Sequence, residues 1–329
     1  MKFSFSLKFL VFIIFFLSFS KDLNSLDIKL YKTLKIPNYS SVTCLEFNPK
    51  DSNILLVGCS SGQLLRWNIS KTKYDIIYEN SQSKVVSLSC KDDLVSIAHS
   101  DEYVLFLKIN SFEGDIFSLP NTNHNYCFSF NYLNPSFFSR CLYSSNKIEV
   151  WEKDGNKLKG YYLLQLKKSN ISCLKWHDLY DNNLACGCLN NIIEIWNFKT
   201  DKCIFSLAGH FDKILCIFWN PFYPTVLASG SRDNTIRLWN LIKREKCIGI
   251  LKGHKSSVSC LSFHPSISRI LVSGSDDTEI RIWDINILEC VNILKQHKSK
   301  ITCLSFSKKG DFLASGDIAG NIFVWKVII

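Results

Sequence analysis

The sequence predicts an all-β protein built from seven like units in tandem, and three observations carry that reading. Trp67, Trp151, Trp196, Trp239, Trp283 and Trp325 each close a short apolar run such as Ile236-Arg237-Leu238-Trp239. Their spacing is a single period of 40 to 45 residues once Leu107, at the end of Val104-Leu105-Phe106-Leu107, fills the double gap between Trp67 and Trp151. No stretch beyond residue 20 carries a long helical period, so almost no helix is expected there. Self-similarity at such a period marks units that bury their faces only against one another.

Residues 1–20 precede the repeats. Lys2 and Lys8 stand before an apolar run from Phe9 to Phe19, a length suited to a signal peptide and short for a spanning helix. Three readings stand: a cleaved signal, an uncleaved anchor, or a misassigned start of the reading frame. For the anchor, Lys21, Lys29, Lys32 and Lys35 outnumber Lys2 and Lys8, which leaves the repeats facing the cytosol. An anchor reading would give membrane association through this segment. Asn38-Tyr39-Ser40, Asn68-Ile69-Ser70 and Asn170-Ile171-Ser172 match the glycosylation acceptor, but such triplets arise readily by chance in an Asn-rich chain.

The units follow from about residue 27. Each opens with a β-rich run such as Val42-Thr43-Cys44-Leu45-Glu46-Phe47, which Asn-Pro or His-Pro then stops and turns. A Ser-Gly pair marks a further turn before the Trp run. The two clearest units open Gly209-His210 and Gly253-His254, pass through Ser229-Gly230-Ser231-Arg232-Asp233 and Ser273-Gly274-Ser275-Asp276-Asp277, and close Trp239-Asn240 and Trp283-Asp284. This pattern resembles the WD40 repeat across roughly residues 27–329. It is strong in units five and six, clear in one, four and seven, and weak in two and three.

The resemblance implies a seven-bladed β-propeller of four-stranded antiparallel blades. Too few residues follow Trp325 for a fourth strand in the last blade. Residues 28–35 align with 245–252, the outer strand before a Gly-His turn, and are expected to complete blade seven. Such closure removes a free sheet edge.

His210, Ser229, Asp233 and Trp239 in unit five, and His254, Ser273, Asp277 and Trp283 in unit six, tempt a catalytic reading. The resemblance implies instead a buried hydrogen-bond chain from Trp through Ser and His to Asp that stiffens each blade. It is repeated, whereas an active site is normally singular. Unit seven keeps His297, Ser315 and Trp325 with Ala319 at the Asp position, and unit four has Cys186 and Asn190 in place of Ser and Asp. Units one to three lack most of the chain. Apolar packing is expected to hold the weaker blades.

Of fourteen cysteines, Cys44, Cys127, Cys173, Cys216, Cys260 and Cys303 share one place in the first strand, and Cys203, Cys247 and Cys290 one in the outer strand. Equivalent positions in separate blades are expected to lie too far apart to bond, so these act as small buried apolar groups. Cys186-Gly187-Cys188 is too tight for a usual zinc pair. Free thiols suit a reducing compartment. The expected location is therefore cytoplasmic or cytosol-facing, with the secretory pathway as the alternative.

Net charge is +10, but the longest basic runs are pairs such as Lys243-Arg244, and no RNA-binding signature appears. Weak attraction to acidic partners or anionic membrane surfaces fits better than specific nucleic-acid binding, though an RNA-associated complex subunit stays open. No phosphate loop, metal cluster or singular nucleophile remains, so no enzyme activity, cofactor or metal is expected. A cullin substrate receptor of this type usually shows an Arg two residues after Trp-Asp; Asn286 and Ile242 stand there. The resemblance implies a scaffold or adaptor for protein partners within a multi-subunit complex. Its usual docking face would carry Tyr39, His124, Phe211, Lys213, Arg232, Lys255, Asp276 and Lys298. The alternative from another class is a secretory or membrane-tethered enzyme or receptor.

Overall fold

The structure is a computed structural model of the chain. It describes residues 26–328 except 37–39, 82, 102, 112, 120–124, 132, 143–145, 167–169 and 181. The signal-or-anchor segment 1–20, Tyr39 and His124 lie outside the described residues.

Described residues form strands and turns with no helix, and hence no helix long and apolar enough to cross a membrane. The first strand is Asp27–Lys35 (β1). Blade one follows as Val42–Phe47, Ile54–Cys59, Gln63–Asn68 and Lys73–Glu79 (β2 to β5). Blade two is Val85–Lys91, Leu94–His99, Tyr103–Lys108 and Gly114–Ser118 (β6 to β9). Blade three is Asn125–Phe130, Phe137–Leu142, Lys147–Asp154 and Lys157–Gln165 (β10 to β13). Blade four is Ile171–Trp176, Asn183–Cys188, Ile192–Asn197 and Lys202–Ala208 (β14 to β17). Blade five is Ile214–Trp219, Val226–Ser231, Thr235–Asn240 and Cys247–Lys252 (β18 to β21). Blade six is Val258–Phe263, Ile270–Ser275, Ile280–Asp284 and Glu289–Leu294 (β22 to β25). Ile301–Phe306, Phe312–Asp317 and Asn321–Ile328 (β26 to β28) belong to blade seven, which β1 completes in the order β1-β28-β27-β26.

The closing pair runs antiparallel, with Ile28 opposite Val327 and Leu34 opposite Ile322. The Ile36 amide then donates to the Gly320 carbonyl at 2.9 Å. Both chain ends of the ring are thus tied into one sheet, as the alignment of residues 28–35 anticipates.

Among the described residues, no blade has a core of its own. Seven apolar clusters lie between neighbouring blades, and the one joining Leu34, Ala314, Ile322 and Val324 to Leu45, Leu55, Val57 and Trp67 closes the circle. The Ser-Gly signal has its physical reason here. A Cβ on Gly230 would stand 2.7 Å from both Cys216 Sγ and Val258 Cγ1. Gly230 is therefore where the first strand of the next blade presses against the second strand of its own. That contact sets the end of β19 beside the start of β22, so equivalent turns of adjacent blades share one face of the ring.

Candidate docking face and the buried tetrads beneath it

The face is built from the turn that opens each blade and the turn between its second and third strands. Beneath it in blade five, Trp239 Nε1 donates to Ser229 Oγ at 2.8 Å, Ser229 Oγ lies 2.7 Å from His210 Nε2, and His210 Nδ1 lies 2.8 Å from Asp233 Oδ2. An indole N–H only donates. The hydroxyl therefore accepts from Trp239 and gives its proton to Nε2, while Nδ1–H donates to the carboxylate. Burial holds His210 below its ordinary value, against the pull of Asp233, and the neutral ring is the form this chain needs. Burial pushes the Asp233 carboxyl up, but bonds from Thr235, the Phe211 amide and His210 outweigh it and leave it low.

Blade six repeats the geometry. Trp283 Nε1 reaches Ser273 Oγ at 2.8 Å, His254 Nε2 lies 2.7 Å from Ser273 Oγ, and His254 Nδ1 lies 2.8 Å from Asp277 Oδ2. The connectivity is that of a nucleophile, base and acid. Yet Ser229 and Ser273 are fully buried and each already accepts an indole proton, so neither hydroxyl meets a substrate.

Blade seven departs from the expectation. Ala319 does not leave its chain without an acid. His297 Nδ1 meets Asp317 Oδ2 at 2.8 Å, His297 Nε2 meets Ser315 Oγ at 2.8 Å, and Trp325 Nε1 reaches the same oxygen at 3.0 Å. Asp317 sits two residues earlier than Asp233 does in blade five and is itself fully buried. Blade seven thus has a complete tetrad.

The weaker blades also keep polar ties that the sequence reading assigned to apolar packing. In blade four, Trp196 Nε1 donates to Glu194 Oε2 at 2.9 Å. In blade three, Trp151 Nε1 donates to Glu149 Oε2 at 3.0 Å, and the fully buried Arg140 bonds the same oxygen at 2.7 Å. By register Arg140 and Cys186 stand where Ser229 does, and Glu149 and Glu194 where Arg237 does. In blades three and four a carboxylate on the third strand thus takes over as acceptor where the second strand has no serine. Its signal is a Glu two residues before the Trp of an otherwise apolar run. Blade one has Val57 at the serine position, and the buried Trp67 Nε1 meets no acceptor among the described residues.

The tetrads fix the backbone of the face. Asp233 Oδ2 also accepts the Phe211 amide at 2.9 Å, and Asp277 Oδ2 the Lys255 amide at 2.8 Å. Phe211 is therefore held in place yet 82% exposed, with the Arg237 guanidinium 5.6 Å from its ring centre. Arg232, Lys255 and Lys298 are exposed and Lys213 and Asp276 half-buried. Asp276 is paired with Lys300 at 2.8 Å, a partner that sequence reasoning missed. Among the described residues, no group of three His, Cys, Asp or Glu is placed to hold a metal ion.

Two family models match. One described as WD domain, G-beta repeat covers residues 201–240, and one described as IFT140 first beta-propeller covers residues 243–328. The chain is a WD40-repeat propeller. Together the matched stretches run from the outer strand of blade four to the end of blade seven, which includes the three tetrads found among the described residues. No curated protein matches the chain.

Proposed function

We propose that this propeller is a non-catalytic scaffold that holds protein partners within a multi-subunit complex, docking them on the opening and second-to-third-strand turns of blades five to seven. The observation that carries the reading is Phe211: a large apolar side chain left in water on a turn that a buried tetrad pins. Aromatic and Arg side chains dominate interface energetics, and a pre-fixed turn lowers the ordering cost of binding. Arg232, Lys255 and Lys298 are exposed on the same set of turns in blades five to seven and favour a partner segment with acidic residues flanking an apolar pocket. The match of residues 243–328, the outer strand of blade five and then blades six and seven, to the IFT140 propeller supports a cytosol-facing transport assembly, cytoplasmic or ciliary.

The test is affinity purification of tagged protein from its native cell, beside a Phe211→Ala, Arg232→Glu variant. Subunits that co-purify with the wild type and are lost from the variant, whose melting is unchanged, support the reading. Recovery of the wild type alone, or turnover of a substrate by the isolated chain, overturns it.

A further inference from the structure

In five blades the first-strand thiol faces a glycine on the second strand: Cys44 opposite Gly58, Cys173 opposite Gly187, Cys216 opposite Gly230, Cys260 opposite Gly274 and Cys303 opposite Gly316. A Cβ at those glycines would lie between 2.5 and 3.0 Å from the sulfur. Blade two has Ser87 opposite Ala98. Blade three differs from all of them, because Cys127 on β10 faces Cys141 on β11.

Direct partners in an antiparallel ladder have Cα atoms roughly 4.5–5.5 Å apart, within the roughly 4.4–6.8 Å that a disulfide spans. The two thiols, both free, are already hydrogen-bonded to each other. In the registers described, no other cysteine faces a cysteine. Cys186 and Cys188 share the same core between blades three and four, but they sit two apart on one strand and turn their sulfurs to the Leu184 and Cys186 carbonyls.

We propose that Cys127 and Cys141 are a redox modification site: on exposure to a small-molecule disulfide they form a cross-strand bridge that staples the first two strands of blade three. The half-buried Cys127 is the entry point. Its thiolate attacks one sulfur of the small disulfide, that S–S bond breaks, and the first small thiol leaves with the proton Cys127 gave up. The fully buried Cys141 then attacks the Cys127 sulfur of the mixed disulfide and expels the second small thiol, which takes the Cys141 proton. The protein loses two electrons and two protons, and the small disulfide gains them. The thiolate is the attacking form. Its bond to Cys141 and burial hold the Cys127 thiol well above its ordinary value, so the exchange quickens as pH rises.

The experiment incubates the full chain in glutathione buffers of graded redox poise, quenches it, alkylates it after denaturation and maps the peptides without reduction. The expected result is one linked peptide joining Cys127 to Cys141, lighter by two hydrogens, with both residues leaving the alkylated pool together while Cys44, Cys173, Cys186 and Cys188 remain in it. Oxidised protein melts above reduced protein. The difference disappears in Cys141→Gly, which restores the residue of five other blades, and in Cys127→Ser, which copies blade two. Full alkylation of both cysteines in the most oxidising buffer overturns the proposal, as does a bridge from either to Cys173, Cys186 or Cys188. Should a variant fail to fold, the peptide map of the wild type decides alone.

Discussion

Asp317 Oδ2 lies 2.8 Å from His297 Nδ1 and closes the tetrad of blade seven from a position two residues before the one its sister blades use. Asp317 Oδ1 also accepts the Ala319 and Asn321 amides at 3.0 and 2.9 Å. This carboxylate therefore ties His297 to the turn after the second strand. In blades five and six the acid also takes the amide of the residue after the histidine. The stretch Ser315-Gly316-Asp317 reaches the same endpoint by a different route.

One consequence concerns tryptophan. Trp325→Phe and Trp239→Phe each remove an indole donor to a buried serine, at 3.0 and 2.8 Å. Each is expected to cost about 1–3 kcal/mol, and the two costs to agree within about 0.5 kcal/mol. Asp317→Ala is expected to cost at least as much as either, because it strands His297 and two backbone amides. Urea melts of the three variants decide. A Trp325→Phe loss much smaller than that of Trp239→Phe would show that the blade-seven chain does not act as a unit.

The ring, its seven units and its closing strand were legible because a period of 40 to 45 residues and a one-strand offset are properties of the whole chain. The acid of blade seven was not. Counting from Ser315 to the usual place gives Ala319, and nothing in a linear count says that a carboxylate two residues nearer still reaches the same imidazole. Glu149 and Glu194 were missed for a related reason. Each accepts from the Trp two residues on along its own strand, but that it stands in for a serine shows only in the cross-strand register that sets Arg140 and Cys186 opposite. The Cys127–Cys141 pair was hidden in the same way, since the period groups Cys127 with its equivalents in other blades and not with its neighbour in its own.

Stability is expected to fall as pH drops below about 6.5, the ordinary histidine value. Burial lowers His264 to about 4 and also lowers His177 and His210. The geometry gives the cause. His264 Nδ1 accepts the Ser266 and Ile267 amides at 3.0 and 3.1 Å, and Nε2 donates to the Gly310 carbonyl. A proton on Nδ1 would face two N–H groups. The folded value lies below the unfolded one, so the neutral ring stabilises above the unfolded value and the contribution is lost as pH falls toward about 4. Each such site contributes a slope of up to about 1.4 kcal/mol per pH unit in that window. Asn220 fills the same role in blade five, where its Oδ1 takes the Phe222 and Tyr223 amides. His264→Asn is therefore expected to flatten the melting-temperature profile between about pH 4 and 6.5. An unchanged slope would contradict the assignment.

A strained turn offers a gain in stability. The fourth residue of the turn after the second strand has positive φ in blades four to six: Asn191 at 69°, Asn234 at 66° and Thr278 at 71°. Asn tolerates the left-handed region, whereas a β-branched residue there is an outlier. Thr278→Asn copies the neighbouring blades and is expected to stabilise the protein by about 1 kcal/mol. The reverse change, Asn234→Thr, is expected to destabilise by a similar amount. Chemical denaturation of both variants checks the pair, and the same sign in both would refute the strain argument.

Trp67 tests whether it is the donor or the ring that matters. Its ring is buried and packs on Tyr74 at 4.8 Å, yet its indole N–H has no acceptor among the described residues. Burying an unpaired donor costs about 1–3 kcal/mol. Trp67→Phe removes that unpaired N–H together with some packing, and the two effects oppose each other. Its net cost is expected to fall below that of Trp239→Phe by about 1 kcal/mol or more. Val57→Ser goes the other way. Val57 faces Leu65 across the ladder and holds the position of Ser229, so a hydroxyl there would give Trp67 the acceptor that its three tetrad counterparts have. The serine also removes apolar volume, so the single change is expected to destabilise. In the double variant Val57→Ser, Trp67→Phe the hydroxyl has no indole to bond. A double-mutant cycle in urea should therefore report a favourable coupling of about 1 kcal/mol between the introduced hydroxyl and the Trp67 indole. A coupling near zero would mean that the serine and the indole do not meet, and that the register shared by blades one and five does not carry over to side-chain geometry.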